Sequence, residues 1–277
     1  MPTGGTETLE FSKHEGAGND FLVVLDPTDV LHLSEAEVRR LCDRRRGVGA
    51  DGVIRVGPGD GRADLSMELH NADGGLAETS GNGLRCLAQA AVDGALVRGP
   101  RFTVLTGAGL ATVDYEPSER AATARVNVAM GVVTLVGETV TTAGGHMVQR
   151  AETGNPHLVV RCEDPAQLDV ATLGAEMAAE YPGGINVEFI APGPGAGEIT
   201  MRVFERGAGE TRACGSGSCA AAVIARAWGL VEGERVLVRN PGGTLEVALG
   251  AEDGDPVVLG GPVRRVARVT VERSVLA

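Results

Sequence analysis

Residues 78–88 read ETSGNGLRCLA, and residues 212–222 read TRACGSGSCAA. Laid over each other, Ser80 falls on Cys214, Gly81 on Gly215 and Gly83 on Gly217, an offset of 134 residues. Each stretch is a small polar residue, a Gly-x-Gly turn and a run rich in Ala and Leu. The run has helical spacing in both places. Leu84, Leu87, Ala88 and Ala91 share a face, as do Ala220, Val223, Ile224, Ala227 and Trp228. Small residues of this kind suit a helix buried inside a curved sheet.

The echo runs further along the chain. GNDFLVV (18–24) matches GNPHLVV (154–160) at five of seven places, with an offset of 136. Asn71 stands nine residues before Ser80, and Glu205 nine before Cys214. Gly109 and Val113 match Gly243 and Val247. Parts repeated in one order predict two similar domains, near residues 9–125 and 146–272, joined by a segment around Val126 to Gly145, so that the chain divides as 1–125 and 126–277. Alternating apolar residues mark strands at Leu65, Met67 and Leu69, at Val126 and Val128, and at Ile199, Met201 and Val203. Val236 and Val238, then Leu245, Val247 and Leu249, mark two more. Ser34 and Glu37 form a capping box that should open a surface helix. The expected fold is α+β: two pseudo-symmetric domains, each a curved, mostly antiparallel sheet wrapped around a central helix.

Composition narrows the function classes. A chain of 277 residues, 43% hydrophobic, can bury a sizeable core. No apolar run approaches the roughly 20 residues of a membrane span. The start, MPTGGTETLEF, lacks a leader's basic and apolar regions, so a cytoplasmic location is expected. The five cysteines contain no CxxC pair, so neither a disulfide framework nor a zinc site is indicated. A net charge of −12 argues against nucleic acid as a partner. Lys13 is the only lysine. A pyridoxal Schiff base would have to form there, whereas its place near the end of a first strand reads as solvated. No phosphate-binding GxxxxGK[ST] loop occurs.

The two turns carry the candidate chemistry. A helix N-terminus presents unpaired N–H groups and partial positive charge. A thiol at Cys214 is therefore expected to ionise more easily and act as a base, and the N–H groups behind it can hold a carboxylate. The turn at Ser80 offers the same donors. If both helix ends converge in a cleft between the domains, groups 80 and 214 lie on opposite faces of one carbon, a geometry that inverts a stereocentre. Either turn alone is most often just a capped helix start. Cys42, Cys86, Cys162 and Cys219 read as packing residues, and His14 and His70 as structural or surface residues.

With these residues in view, the chain resembles the diaminopimelate epimerases, a cofactor-independent family of two pseudo-symmetric domains. The motifs are HEGAGNDF (14–21), HNADG (70–74), SGNGLRC (80–86), GNPH (154–157), INVEF (185–189) and ERGAGETRACGSG (205–217). They stand in the family's order over nearly the whole chain. The resemblance implies epimerisation of LL-2,6-diaminopimelate to the meso form, in lysine biosynthesis, by proton abstraction and return. Cys214 would be one base, with Ser80 at the opposing position. His157 and Glu205 would hold the reacting ammonium, and the N–H groups of Gly81, Asn82, Gly215 and Ser216 its carboxylate. Asn19, Asn71, Asn155, Asn186 and Arg206 would complete the pocket, Arg206 on the distal carboxylate. The resemblance also implies a small amino-acid substrate, a homodimer, and no metal, pyridoxal or nucleotide cofactor.

One departure stands out: the family has a second cysteine where this chain has Ser80. A hydroxyl is a far weaker acid than a thiol. A native serine with an altered mechanism or substrate, a laboratory replacement, and a relative without epimerase activity are three readings of it. The rival functions are a racemase of another amino acid, a dehydratase of a hydroxy amino acid, and a protein that binds substrate without turnover. Gly52 is a lesser departure, since some members carry glutamine there.

Overall fold

The computed structural model describes residues 8–252 and 254–276. Most of the opening MPTGGTETLEF stretch lies outside them. The chain divides into two compact units, residues 1–126 with 262–277, and residues 127–261. No helix among the described residues is long and apolar enough to cross a membrane.

In the first unit, β1 (Thr8–Gly16) and β2 (Asn19–Leu25) form a hairpin. The turn between them holds Ala17 and Gly18 at φ of 54° and 80°, where a glycine costs nothing. Helix α1 (Glu35–Cys42) follows, with the expected capping box at Ser34 and Glu37 present in both directions. Strand β3 (Gly52–Pro58) pairs in parallel with β2, and β4 (Leu65–Asn71) antiparallel with β3. The short β5 (Leu76–Ala77) pairs with β4. Then comes α2 (Gly81–Asp93), buried from Gly81 through Ala91. Strand β6 (Arg101–Thr106) lies parallel to β4 and antiparallel to β7 (Gly109–Pro117). β8 (Thr123–Val132) crosses the unit boundary.

The second unit repeats this plan. β9 (Thr134–Thr141) pairs with β10 (Met147–Glu152), and β10 with β11 (Pro156–Arg161) in a hairpin. Helix α3 (Val170–Ala179) corresponds to α1. β12 (Asn186–Pro192) is parallel to β11, β13 (Glu198–Glu205) antiparallel to β12, and the short β14 (Gly209–Thr211) antiparallel to β13. α4 (Gly215–Ala227) is the buried helix. β15 (Arg235–Asn240) and β16 (Gly243–Ala248) follow as β6 and β7 do. The pairings match one for one, parallel contacts included. The fold is α+β, with each unit's sheet mostly antiparallel.

Two sequence expectations are corrected. Val126 to Gly145 is no linker: it holds the end of β8 and all of β9. β9 is exposed along almost its whole length, so no face of it needed apolar residues and no alternation marked it. The chain end also changes sides. The last strand, β17 (Pro256–Glu272), starts in the second unit beside β16 and continues into the first, where residues 264–272 pair antiparallel with β1. Residues 262–277 therefore belong with the N-terminal unit, not with the C-terminal half where the sequence reading put them.

Candidate active site

Cys214 is the N-cap of α4. Its extended backbone (φ −119°, ψ 123°) turns the side chain back over the first turn, where Sγ accepts from the Gly217 N–H at 3.4 Å. Ser216 Oγ lies 3.6 Å from the same sulfur. Ser80 caps α2 in the same manner (φ −149°, ψ 124°), and its Oγ accepts from the Gly83 N–H at 3.0 Å. Each helix start thus has one donor taken by its own cap. Gly81 and Asn82, and Gly215 and Ser216, make up the first turns of the two helices, all buried except the half-buried Ser216.

The charges around Cys214 act against the sequence expectation of an easily ionised thiol. Burial is the largest effect and pushes the thiol well above its ordinary value. The Glu205 and Glu188 carboxylates push it further, against hydrogen bonds from Ser216 and the Gly217 N–H. The helix-end field is real but local, and burial with the two nearby carboxylates outweighs it. Glu205 itself is raised by burial, opposed by hydrogen bonds from Thr211 and Cys214 and reinforced by Glu188. Thr211 Oγ1 makes a short hydrogen bond to Glu205 Oε1. The site in the second unit is therefore rich in negative charge and suited to a cation.

His157 is fully buried, with Nδ1 2.7 Å from Glu188 Oε1 and Nε2 2.9 Å from Asn155 Oδ1. Both ring nitrogens are engaged inside the unit. Glu188 is the residue that sequence reasoning missed. Its signal was an acid inside the apolar run INVEFIA (185–191), on a strand whose residues 186–191 are all buried.

The remaining second-unit residues frame these groups. Asn186 is buried; its Nδ2 donates to Pro156 O at 2.9 Å and its Oδ1 accepts from the Arg206 N–H at 3.0 Å. Arg206 is exposed, and its guanidinium donates to Gly183 O at 3.2 Å. In the first unit, Asn82 Nδ2 donates to Asn19 Oδ1 at 3.3 Å, and Asn19 Nδ2 to Asp51 Oδ2 at 2.6 Å. Arg85, fully buried, donates to Asn82 Oδ1 at 2.6 Å. Arg44 bridges Asp20 and Asp51. This chain of contacts fixes the amides of Asn19 and Asn82. Asn71 is exposed at the end of β4. Lys13, expected to be solvated, is mostly buried: it donates to Gly49 O at 2.5 Å and pairs with Asp20 at 2.8 Å.

The packing residues are as expected. Burial pushes the Cys86 and Cys42 thiols up to about 12 and Cys162 to about 11. Burial pulls His14 down to about 4. His70 is buried against Glu68 and the Gly74 carbonyl.

The chain was compared with known proteins. The sequence model of the diaminopimelate epimerase family matches residues 11–136 and 150–266. The diaminopimelate epimerase of Thermobifida fusca is 38% identical over 97% of this chain and 100% of its own length. That of a Cyanothece strain is 39% identical over 94% of this chain and 98% of its own. Among solved structures, a hydroxyproline epimerase from Agrobacterium vitis superposes with a TM-score of 0.72 at 17% identity, covering 95% of this chain and 92% of that one. At that identity the likeness speaks for the fold alone.

Proposed function

The chain belongs to the diaminopimelate epimerase family, and from that membership we propose how its residues carry out the isomerisation of LL-2,6-diaminopimelate to the meso form in lysine biosynthesis. The α-proton leaves to the Cys214 thiolate. Ser80 occupies the second acid–base position. Glu205 holds the ammonium at the reacting carbon. That cation offsets the carboxylates beside Cys214, so the thiolate forms when substrate is present. The N–H groups of Gly81, Asn82, Gly215 and Ser216 hold the reacting carboxylate. The carbanion develops charge next to those donors, which favours the transition state over the ground state.

Asn19, Asn71, Asn155 and Asn186 shape the pocket. Arg206 takes the distal carboxylate, where its planar fork matches two oxygens. A racemase of a monocarboxylic amino acid would leave Arg206 idle, which favours the diacid. His157 acts through its neighbours rather than on the substrate. The protein works as a cytoplasmic homodimer without a cofactor.

The observation that carries this reading is Cys214, capping a buried helix beside the Glu205 carboxylate. The test is to incubate the protein with LL-diaminopimelate and resolve the stereoisomers by chiral chromatography. Meso product supports the reading. Unchanged LL substrate, or a product that has lost water or ammonia, would overturn it.

A further inference from the structure

The two units fill one place in opposite ways. β2 runs parallel to β3 with Phe21 opposite Gly52, and β11 runs parallel to β12 with His157 opposite Asn186. Two residues further along the second strand stand Ile54 in the first unit and Glu188 in the second. The buried helix packs directly against each. A Cβ on Gly83 would lie 3.3 Å from Ile54 Cδ1, and a Cβ on Gly217 would lie 2.5 Å from Glu188 Oε1. Under Ser80's helix the place is apolar; under Cys214's helix it holds a histidine and a glutamate, both fully buried.

The fold accepts an apolar pair here. Burying two ionisable side chains costs desolvation that Phe and Ile avoid. Glu188 bears that cost incompletely repaid: Oε1 meets His157 Nδ1, while Oε2 is buried with no hydrogen-bond partner among the described residues. Among the described residues, three titratable groups face Glu188: His157 from β11, Glu205 from β13, and Cys214 at the start of α4.

We infer that Glu188 is a positioning residue: it fixes the His157 ring with a proton on Nδ1, and beside Glu205 it supplies the second negative charge that a substrate ammonium offsets next to Cys214. The inference rests on the epimerase reading of this site; its test does not use turnover alone. Without a cation the thiol stays protonated. A ligand that brings an ammonium offsets both carboxylates at once and turns the base on, whereas a ligand with carboxylates only leaves it off.

Glu188→Gln keeps the shape and removes the charge. In ligand-free protein, the pH at which Cys214 reacts half-maximally with iodoacetamide, followed by mass spectrometry, should fall by about one unit. ¹⁵N NMR of the unaltered protein should show the His157 ring carrying its proton on Nδ1. A second variant, His157→Phe with Glu188→Ile, installs the residues the first unit uses. It should fold, show the same fall in the Cys214 midpoint, and lose at least tenfold in kcat with KM changed less. A purely structural Glu188 would lower the melting temperature of Glu188→Gln and leave the Cys214 curve in place, which overturns the inference. So would an unprotonated Nδ1, or a double variant with unaltered kcat. If the protein turns over another substrate, the labelling curves still decide the point.

Discussion

Replacing Ser80 with cysteine should accelerate epimerisation. The two caps are near copies: Ser80 and Cys214 share an extended backbone and each accepts from the N–H three residues on. Ser80 is only half-buried, so a sulfur at position 80 finds room and the same Gly83 donor. Its surroundings are also kinder to a thiolate. The places that hold Glu205 and Glu188 beside Cys214 are held in the first unit by Asn71 and Ile54, so no equivalent carboxylate pair opposes ionisation. A well-placed proton donor contributes about 10²–10⁴-fold to a proton-transfer step. Taking the lower end, kcat for LL-to-meso conversion should rise by about 10²-fold, a barrier lower by roughly 2.7 kcal/mol. The assay is initial rate in both directions by chiral chromatography, with substrate affinity measured in parallel. If the Ser80→Cys protein is folded, binds substrate as before and is no faster, two-group proton transfer is wrong for this protein, and a reaction needing one base becomes the better description.

Other consequences follow from packing and charge. Gly217→Ala should destabilise the protein by about 1–3 kcal/mol, because the new methyl meets the fixed Glu188 carboxylate at 2.5 Å. Gly83→Ala should stay within about 1 kcal/mol of the parent, since it meets the flexible end of Met67 at 3.0 Å and gains helix propensity; urea unfolding followed by the single Trp228 compares the two. His14, held neutral down to about pH 4 against an ordinary 6.5, takes up its proton more readily when unfolded. Its contribution is therefore present above pH 6.5 and lost as pH falls toward 4, by about 3 kcal/mol in full. His14→Asn should flatten that part of the stability–pH curve, and an unaltered slope would assign it to other groups. Arg206→Met should raise KM for diaminopimelate about 10–100-fold with kcat nearly kept; a loss confined to kcat would mean that Arg206 does not anchor the distal carboxylate.

The repeat made the architecture legible, because the turn that starts each buried helix has few sequence solutions and this chain uses it twice. Ser34 with Glu37, and the alternating runs of β4, β13, β15 and β16, could be placed from local rules alone. What escaped notice has identifiable causes. β9 lies almost wholly in solvent, so burial imposed no pattern on it. β17 passes between units late in the chain, and no local signal records where a strand finds its partner. At the site, the residue types were legible but their electrostatic balance was not. Cys214 reads as an activated thiol from its helix end. Burial, together with Glu205 and Glu188 nine and twenty-six residues before it, reverses that only once the strands fold around it. The partners of His157, Glu188 and Asn155, likewise come into view only in the folded strands.

The central claim is that Cys214 takes the α-proton. The most direct measurement follows the α-protons of LL-diaminopimelate by ¹H NMR in D₂O, with the parent protein and with Cys214→Ala at equal concentration. The account predicts that the parent washes out the α-proton signal, and that Cys214→Ala binds the substrate yet leaves that signal intact. Washout at the parent rate with Cys214→Ala would show that another group is the base and contradict the account.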